Sequence, residues 1–450
     1  MLLEEFKVSL FEKAELYGFS EYEIYYLKED VLNVETFQGE LEKYSVSETQ
    51  GLSFRGIFNG KMGYSYSEVL DEKSVDFLIN SAKENAVVIE NEEKEIIYGE
   101  KEKYSAFDGY EEKISKITPI EKIKLALDME VAAKKESDRV IRVQSVVEEV
   151  DSSYHIINSK GLDLSFRSNA IFAVLEPVVS DKERMNSAYS FICTRNFDKI
   201  NPSVLAKEAV EKSLAFTGAE SVKSGNYHIA MLNEAAASLL STFSGIFSAD
   251  NVQKGLSLLK DKVGERISSD RVTIIDNPLL KEGMKSKPFD DEVVATYTKE
   301  VISEGKLKTL LYNLKTATKA GVKSTGNGAK DTYSSPVEVA PSNFYFKPGH
   351  KDFDSILKAL GDGILITELQ GLHSGANPVS GDFSLAAKGF VIKDGIINRA
   401  VEQITIAGNF YKLLEDIEEV GADLKFGFPS GKGYFGSPTL IIKVMSIAGN

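Results

Sequence analysis

The chain has 450 residues, 42% hydrophobic and 27% charged, a globular composition long enough for two or three buried cores and inconsistent with widespread disorder. Lys plus Arg (53) against Asp plus Glu (68) leaves a net charge of −15, and no long basic run offsets it, which excludes a generic binder of the DNA backbone. A single cysteine, Cys193, excludes an intramolecular disulfide or a cysteine-held metal cluster and fits a reducing cytoplasm.

In chain order, Leu3, Phe6, Leu10, Phe11 and Ala14 fall at helical spacing and Gly18 stops the run, so residues 2–17 read as an amphipathic helix. That start is acidic and not built like a secretory signal. From Glu21 to Ser67 short β-rich runs alternate with turns and predict an antiparallel meander. Residues 71–89 return to helical spacing, and the charged, weakly apolar stretch 91–117 reads as a linker. Thr118 caps PIEKIKLALDMEVAAKKE, with Pro119 at the first helical position and Glu121 completing a capping box. Alternating runs over 140–197 predict strands with a turn at NSKG, and Asn201-Pro202 opens another helix.

A boundary near 218–226 precedes the strand YHIAML and a helix over 234–247. Later runs (VTIID, VVATYT, FYFK, ILITEL, GFVIK, GIINRAV, TLIIKVMSI) read as strands, with short helices near 352–360 and 407–417. The expected fold class is therefore α+β. Residues 1–222 would form an N-terminal α/β region with an antiparallel meander and a sub-boundary near 91–117. Residues 223–450 would form a C-terminal domain rich in mixed and antiparallel sheet with few helices. No stretch approaches the roughly 20 apolar residues of a membrane span, so a cytoplasmic protein without membrane contact is expected.

Local motifs for chemistry are sparse. The four histidines, His155, His228, His350 and His373, have no ligand partner at motif spacing; the first two read as structural strand residues and His350 as an exposed loop residue. GKGYFG at 431–436 matches a glycine-rich phosphate loop by letter but leads into a strand, so it reads as a turn. KSTGNGAKD at 323–331 lacks P-loop spacing and reads as a structural or peptide-contacting loop. Asp290 and Asp291 in KPFDDE read as a solvated turn before a cation site.

GLHSGANPVSGDFSLAAKGFVIKDG, together with MLNEAAASLL, KSKPFDDE and GVKSTGNGAKD in the same order, resembles the TldD/PmbA family, formerly labelled modulators of DNA gyrase. TldD-type members are similar to zinc peptidases with an H-E-x-x-x-H helix and a cysteine from the C-terminal segment. That histidine spacing turns the second ligand about 140° from the first on a regular helix, so the resemblance implies a local helix distortion. The matching positions here are Asn233, Glu234 and Ser238; only the glutamate is retained, and LKFGFPSGKGYFGSPTL holds no cysteine. Asn and Ser are poor zinc ligands.

The resemblance therefore implies the PmbA (TldE) branch, with no zinc, metal ligand or catalytic residue in this chain and zinc expected in a TldD-type partner. It further implies a heterodimeric cytosolic protease acting on unfolded peptides; for the isolated chain a homodimer is left open as an alternative. Two alternatives stand beside it: a self-associating metallopeptidase with a metal gathered from residues such as His373 and Asp382, and a non-enzymatic regulatory protein. Candidate peptide-contacting or loop-structuring residues are His373, Ser374, Gly375, Asn377, Ser380, Gly381, Asp382, Ser324, Gly326 and Asn327.

Overall fold

The computed structural model describes residues 1–90, 93–181 and 184–450. Its first half is one seven-stranded antiparallel sheet. The central strands Glu21–Phe37, Glu40–Phe58, Val140–Asn158 and Asp163–Asp181 run 17 to 19 residues each. Side-chain alternation divides this sheet into two working faces. On one face Val143, Val147, Ile171, Ala173 and Leu175 pack under the helices Pro119–Glu136 and Pro202–Ala215. At the other end of that face Ile24, Leu52 and Phe54 pack under Leu3–Leu16 and Glu72–Val88. The opposite face, carrying Tyr25, Leu27, Ile156 and Phe166, meets Phe289, Val293, Val294 and Leu314 of the second half.

The second half holds two six-stranded sheets. In one, Gly225–Met231, Gly363–Gln370, Asp382–Lys393, Ile396–Asn409 and Leu440–Ala448 close into a barrel, because Thr405–Ala407 pairs back onto Ser446–Ala448. The other runs Lys306–Leu307, Lys299–Ser303, Ile274–Asp276, Asn343–Phe346, Tyr434–Ser437, Lys425–Phe426. The helix Asn233–Phe243 buries Leu239, Leu240 and Phe243 in the largest core, which both sheets share. The α+β class is as expected; the strand Tyr434–Ser437 begins inside GKGYFG, and the strand Leu440–Ala448 follows it.

The stretch 91–117, whose residues 91 and 92 lie outside the described residues, is anchored rather than free beyond that point: Ile97 and Tyr98 are buried, and Tyr104 donates to the Val293 carbonyl at 2.8 Å. Three expectations are corrected. VVATYT does not form a strand. Val293 has φ +60, a conformation a β-branched side chain adopts only under constraint. Residues Ala249–Gln253 and Leu314–Ala320 are short helices that periodicity did not reveal. Asp290 and Asp291 are buried rather than solvated.

Candidate functional site

Asn233, Glu234 and Ser238 lie on regular α-helix, without the distortion that the spacing of a two-histidine motif implies. Each is already engaged. Asn233 donates to the Asp423 carbonyl (3.1 Å) and to its Oδ2 (3.2 Å), and Ser238 Oγ donates to the Glu234 carbonyl at 2.9 Å. Glu234 Oε1 accepts from Lys425 Nζ at 2.6 Å and Lys212 Nζ at 2.9 Å. Both lysines also reach Glu208 Oε1, at 2.7 and 3.0 Å. Burial pushes the Glu234 carboxyl up, but the two lysines outweigh it and hold it below the usual range. A zinc ion needs several neutral or anionic donors converging on one point; here the Glu234 carboxylate, with Glu208, is taken up by two ammonium groups. The residues present do not fit the metal.

The loop 371–382 is a folded turn. Gly375 N–H donates to the Gly371 carbonyl (2.7 Å), Gly381 N–H to the Asn377 carbonyl (2.9 Å), and Asn377 Oδ1 accepts from the amides of Val379 and Ser380. Ser374 Oγ donates to the Gly371 carbonyl (3.3 Å), and Ser380 Oγ accepts from the Asp382 amide (3.3 Å). Asn409 Nδ2 donates to the Ser380 carbonyl and to Asp382 Oδ1, both at 2.8 Å. Gly381 has φ +84, and a Cβ there would meet the Tyr411 ring at 2.6 Å. His373 is exposed on this loop.

The loop 323–331 sits elsewhere, at the junction of the halves. Ser324 Oγ donates to the Tyr312 carbonyl (3.0 Å) and accepts from the Gly326 amide (3.2 Å). Buried Asn327 donates to Asp276 Oδ2 (2.8 Å) and the Ala340 carbonyl (3.0 Å) and accepts from Lys299 Nζ (3.2 Å). Gly326 and Asn327 line a cleft of about 370 Å³ between the first sheet and the second half. Its floor is one alternating face of three strands, from which Glu29, Glu148, Tyr154 and Phe172 point inward. Its roof carries Lys285, Lys287, Asp290 and Asp291, with Lys330 and Arg195 at the sides.

The KPFDDE turn is what holds this roof. Asp290 accepts from the amides of Glu292 (2.9 Å), Val294 (3.0 Å) and Gly328 (2.8 Å), which explains the forced backbone at Val293. Asp291 accepts from Lys287 Nζ (2.8 Å) and the Lys330 amide (2.9 Å). Glu292 and Glu23, both buried, flank Arg55 at 2.8 Å each, tying sheet to roof. Lys330 Nζ donates to Ser53 Oγ (2.6 Å) and Tyr64 Oη (3.0 Å). Burial and nearby Arg55 lower its amine to about 7.

The quoted motifs thus fall into three places: Glu234 with its lysines, the 371–382 turn, and the cleft formed from KPFDDE and GNGAKD. The segment Lys425–Gly431 joins the first to the third, since Lys425 pairs with Glu234 while Phe428, Pro429, Ser430 and Gly431 line the cleft. Lys212, Arg195 and Arg55 were not singled out from the sequence; Lys285, Lys287, Lys330 and Lys425 lay inside quoted stretches without being chosen. Among the described residues, the group of potential metal ligands within 4.8 Å of one another is Glu4, His155 and Asp163. That surface group already holds Lys7, at 2.6 Å from Glu4 and 3.6 Å from Asp163. His373 and Asp382 belong to no such group.

No helix among the described residues is long and apolar enough to cross a membrane. Three family models match in order: PmbA/TldA metallopeptidase domain 1 over residues 22–86, the central domain over 112–216 and the C-terminal domain over 224–449. The chain is 27% identical over 304 residues to the metalloprotease PmbA homolog of Buchnera aphidicola subsp. Acyrthosiphon pisum, covering 67% of this chain and 66% of that protein. The crystal structure of a Thermotoga maritima protein described as a modulator of a DNA gyrase superposes with a TM-score of 0.91 at 33% identity, covering 99% of this chain and all of that one. Thermococcus kodakarensis TldE has the same fold, with a TM-score of 0.89 at 23% identity over 99% of this chain and 100% of its own. The chain belongs to the PmbA/TldD metallopeptidase family, on its PmbA/TldE branch.

Proposed function

We propose that this chain is the non-catalytic subunit of a cytoplasmic two-chain metalloprotease, paired with a zinc-bearing TldD-type chain and acting with it on unfolded peptides. The observation that carries the reading is the pairing of Glu234 with Lys212 and Lys425. A carboxylate held below its usual range by two ammonium groups has lost the basicity a general base needs. The zinc chemistry then belongs to the partner, and this chain contributes surface and peptide contacts. Light scattering after mixing with an H-E-x-x-x-H chain tests the pairing: one species of summed mass is expected, and two species eluting separately would contradict it.

A further inference from the structure

The cleft described above carries an imbalance that the subunit reading does not use. Lys287 has Asp291 as its counter-ion, but three other cationic side chains in the lining have no carboxylate within ion-pair distance among the described residues. The Lys285 ammonium has no hydrogen-bond acceptor there, and Lys330 donates to hydroxyls alone. Arg195 donates to the carbonyls of Gly283 (2.5 Å) and Met284 (3.5 Å), and its buried Nε has no partner. Those two carbonyls directly precede Lys285 in the chain, and both Arg195 and Lys285 line the cleft. The Lys285 backbone is fixed there by Asn343 Oδ1, which accepts from its amide at 3.1 Å.

Cations held out of bulk water without counter-charge are costly, and an arriving anion offsets that cost. Burial and the neighbouring charge of Lys287 hold the Lys285 amine below its ordinary range, against the opposing pull of Asp291, Asp331 and Glu29, none of which comes within ion-pair distance. The floor has the opposite sign. Glu29 Oε2 accepts one hydrogen bond, from Ser152 Oγ at 3.0 Å, and Glu148 one, from Asn33 at 3.5 Å. A polyanion entering the cleft would meet these carboxylates, whereas a ligand carrying one charge of each sign satisfies both walls. A volume of about 370 Å³ suits a small ligand rather than a folded protein, and Phe172, Phe289 and Phe428 supply apolar lining.

We propose that this cleft binds a short peptide in its zwitterionic form, its C-terminal carboxylate held by Lys285 with Arg195 and its amino group facing Glu29 and Glu148. The proposal rests on the peptide-handling reading above and names the part of the peptide this chain would hold. A charge-assisted contact of this kind makes the free acid bind at least about tenfold tighter than the amide.

The test is calorimetric titration of the full-length chain with trialanine, with its C-terminal amide and with inorganic phosphate, repeated on Lys285→Met. Expected are binding of trialanine, at least about tenfold weaker binding of the amide, and loss of that acid-over-amide ratio in Lys285→Met with an unchanged circular dichroism spectrum. Equal affinity for acid and amide, no binding of trialanine to folded protein at millimolar concentration, displacement of trialanine by phosphate, or an unchanged ratio in Lys285→Met would each overturn it. If Lys285→Met does not fold, the acid-to-amide ratio on the native chain decides alone. The light-scattering test of pairing is independent, so failure here with a complex formed there removes the cleft assignment and leaves the subunit reading.

Discussion

Lys425 Nζ lies 2.6 Å from Glu234 Oε1, and Lys212 Nζ approaches the same oxygen at 2.9 Å. Glu234 is one corner of a four-residue ion network with Lys212, Lys425 and Glu208. The network also joins the helix Pro202–Ala215 of the first half to the helix Asn233–Phe243 of the second.

If the network is cohesive, Lys425→Met destabilises the chain by about 1–2 kcal/mol, discounted for the partial exposure of all four groups. The pH dependence follows from the lowered carboxyl of Glu234. A depressed carboxylate contributes stability that is present above its unfolded value near ~4.3 and lost as pH falls through the folded value. Urea unfolding should therefore separate variant and parent at pH 7 and bring them together in acid. A gap that widens on acidification would be inconsistent with the network.

The same geometry bears on metal. Asn233→His combined with Ser238→His leaves both ammonium groups on Glu234, so zinc measured by plasma emission stays far below one equivalent. Adding Lys212→Met and Lys425→Met should raise it. Stoichiometric zinc in the double variant alone would show that the lysines do not block the site.

Arg55 is buried between Glu23 and Glu292. Arg55→Met leaves two buried carboxylates without their cation and should cost about 3–5 kcal/mol. Adding Glu292→Gln should recover part of that, because neighbours in one network are not additive. Full additivity in denaturant titrations would argue against the triad.

In the 371–382 turn, Gly381→Ala forces a Cβ into positive φ against Tyr411 and should cost about 1–3 kcal/mol. His373→Ala, on the exposed surface, should change stability by less than about 0.5 kcal/mol. Thermal melts of both variants separate a shape-giving loop from a stabilising histidine; comparable losses in the two would reverse that assignment.

Lys330 has its amine lowered to about 7, so between pH 7 and the ordinary lysine range the folded chain binds fewer protons than the unfolded one. Stability then rises with pH across that window, by up to about 1.4 kcal/mol per pH unit from this group. Lys330→Met should lose the rise. An identical slope in parent and variant from pH 7 to 9.5 would contradict the shift.

What the sequence disclosed was local or periodic. The Thr118–Glu121 capping box forms as read, and the two-residue alternation of Val140–Asn158 gives both the helix-covered face and the cleft floor. What it hid depends on contacts between distant residues. Lys212 and Lys425 lie 22 and 191 residues from Glu234, so no window shows them meeting. Asp290 and Asp291 read as solvated because charge pairs usually are, yet they bind amides of Gly328 and Lys330, far along the chain. VVATYT had strand propensity, but Asp290's grip on three amides overrides it.

The measurement that bears most directly on the central claim is cleavage of an unstructured peptide by this chain alone and after mixing with a zinc-bearing TldD-type chain, each with and without a chelator. The lysine-paired Glu234 predicts no cleavage by the isolated chain and chelator-sensitive cleavage in the mixture that exceeds the partner's own. Chelator-sensitive cleavage by this chain alone would contradict it.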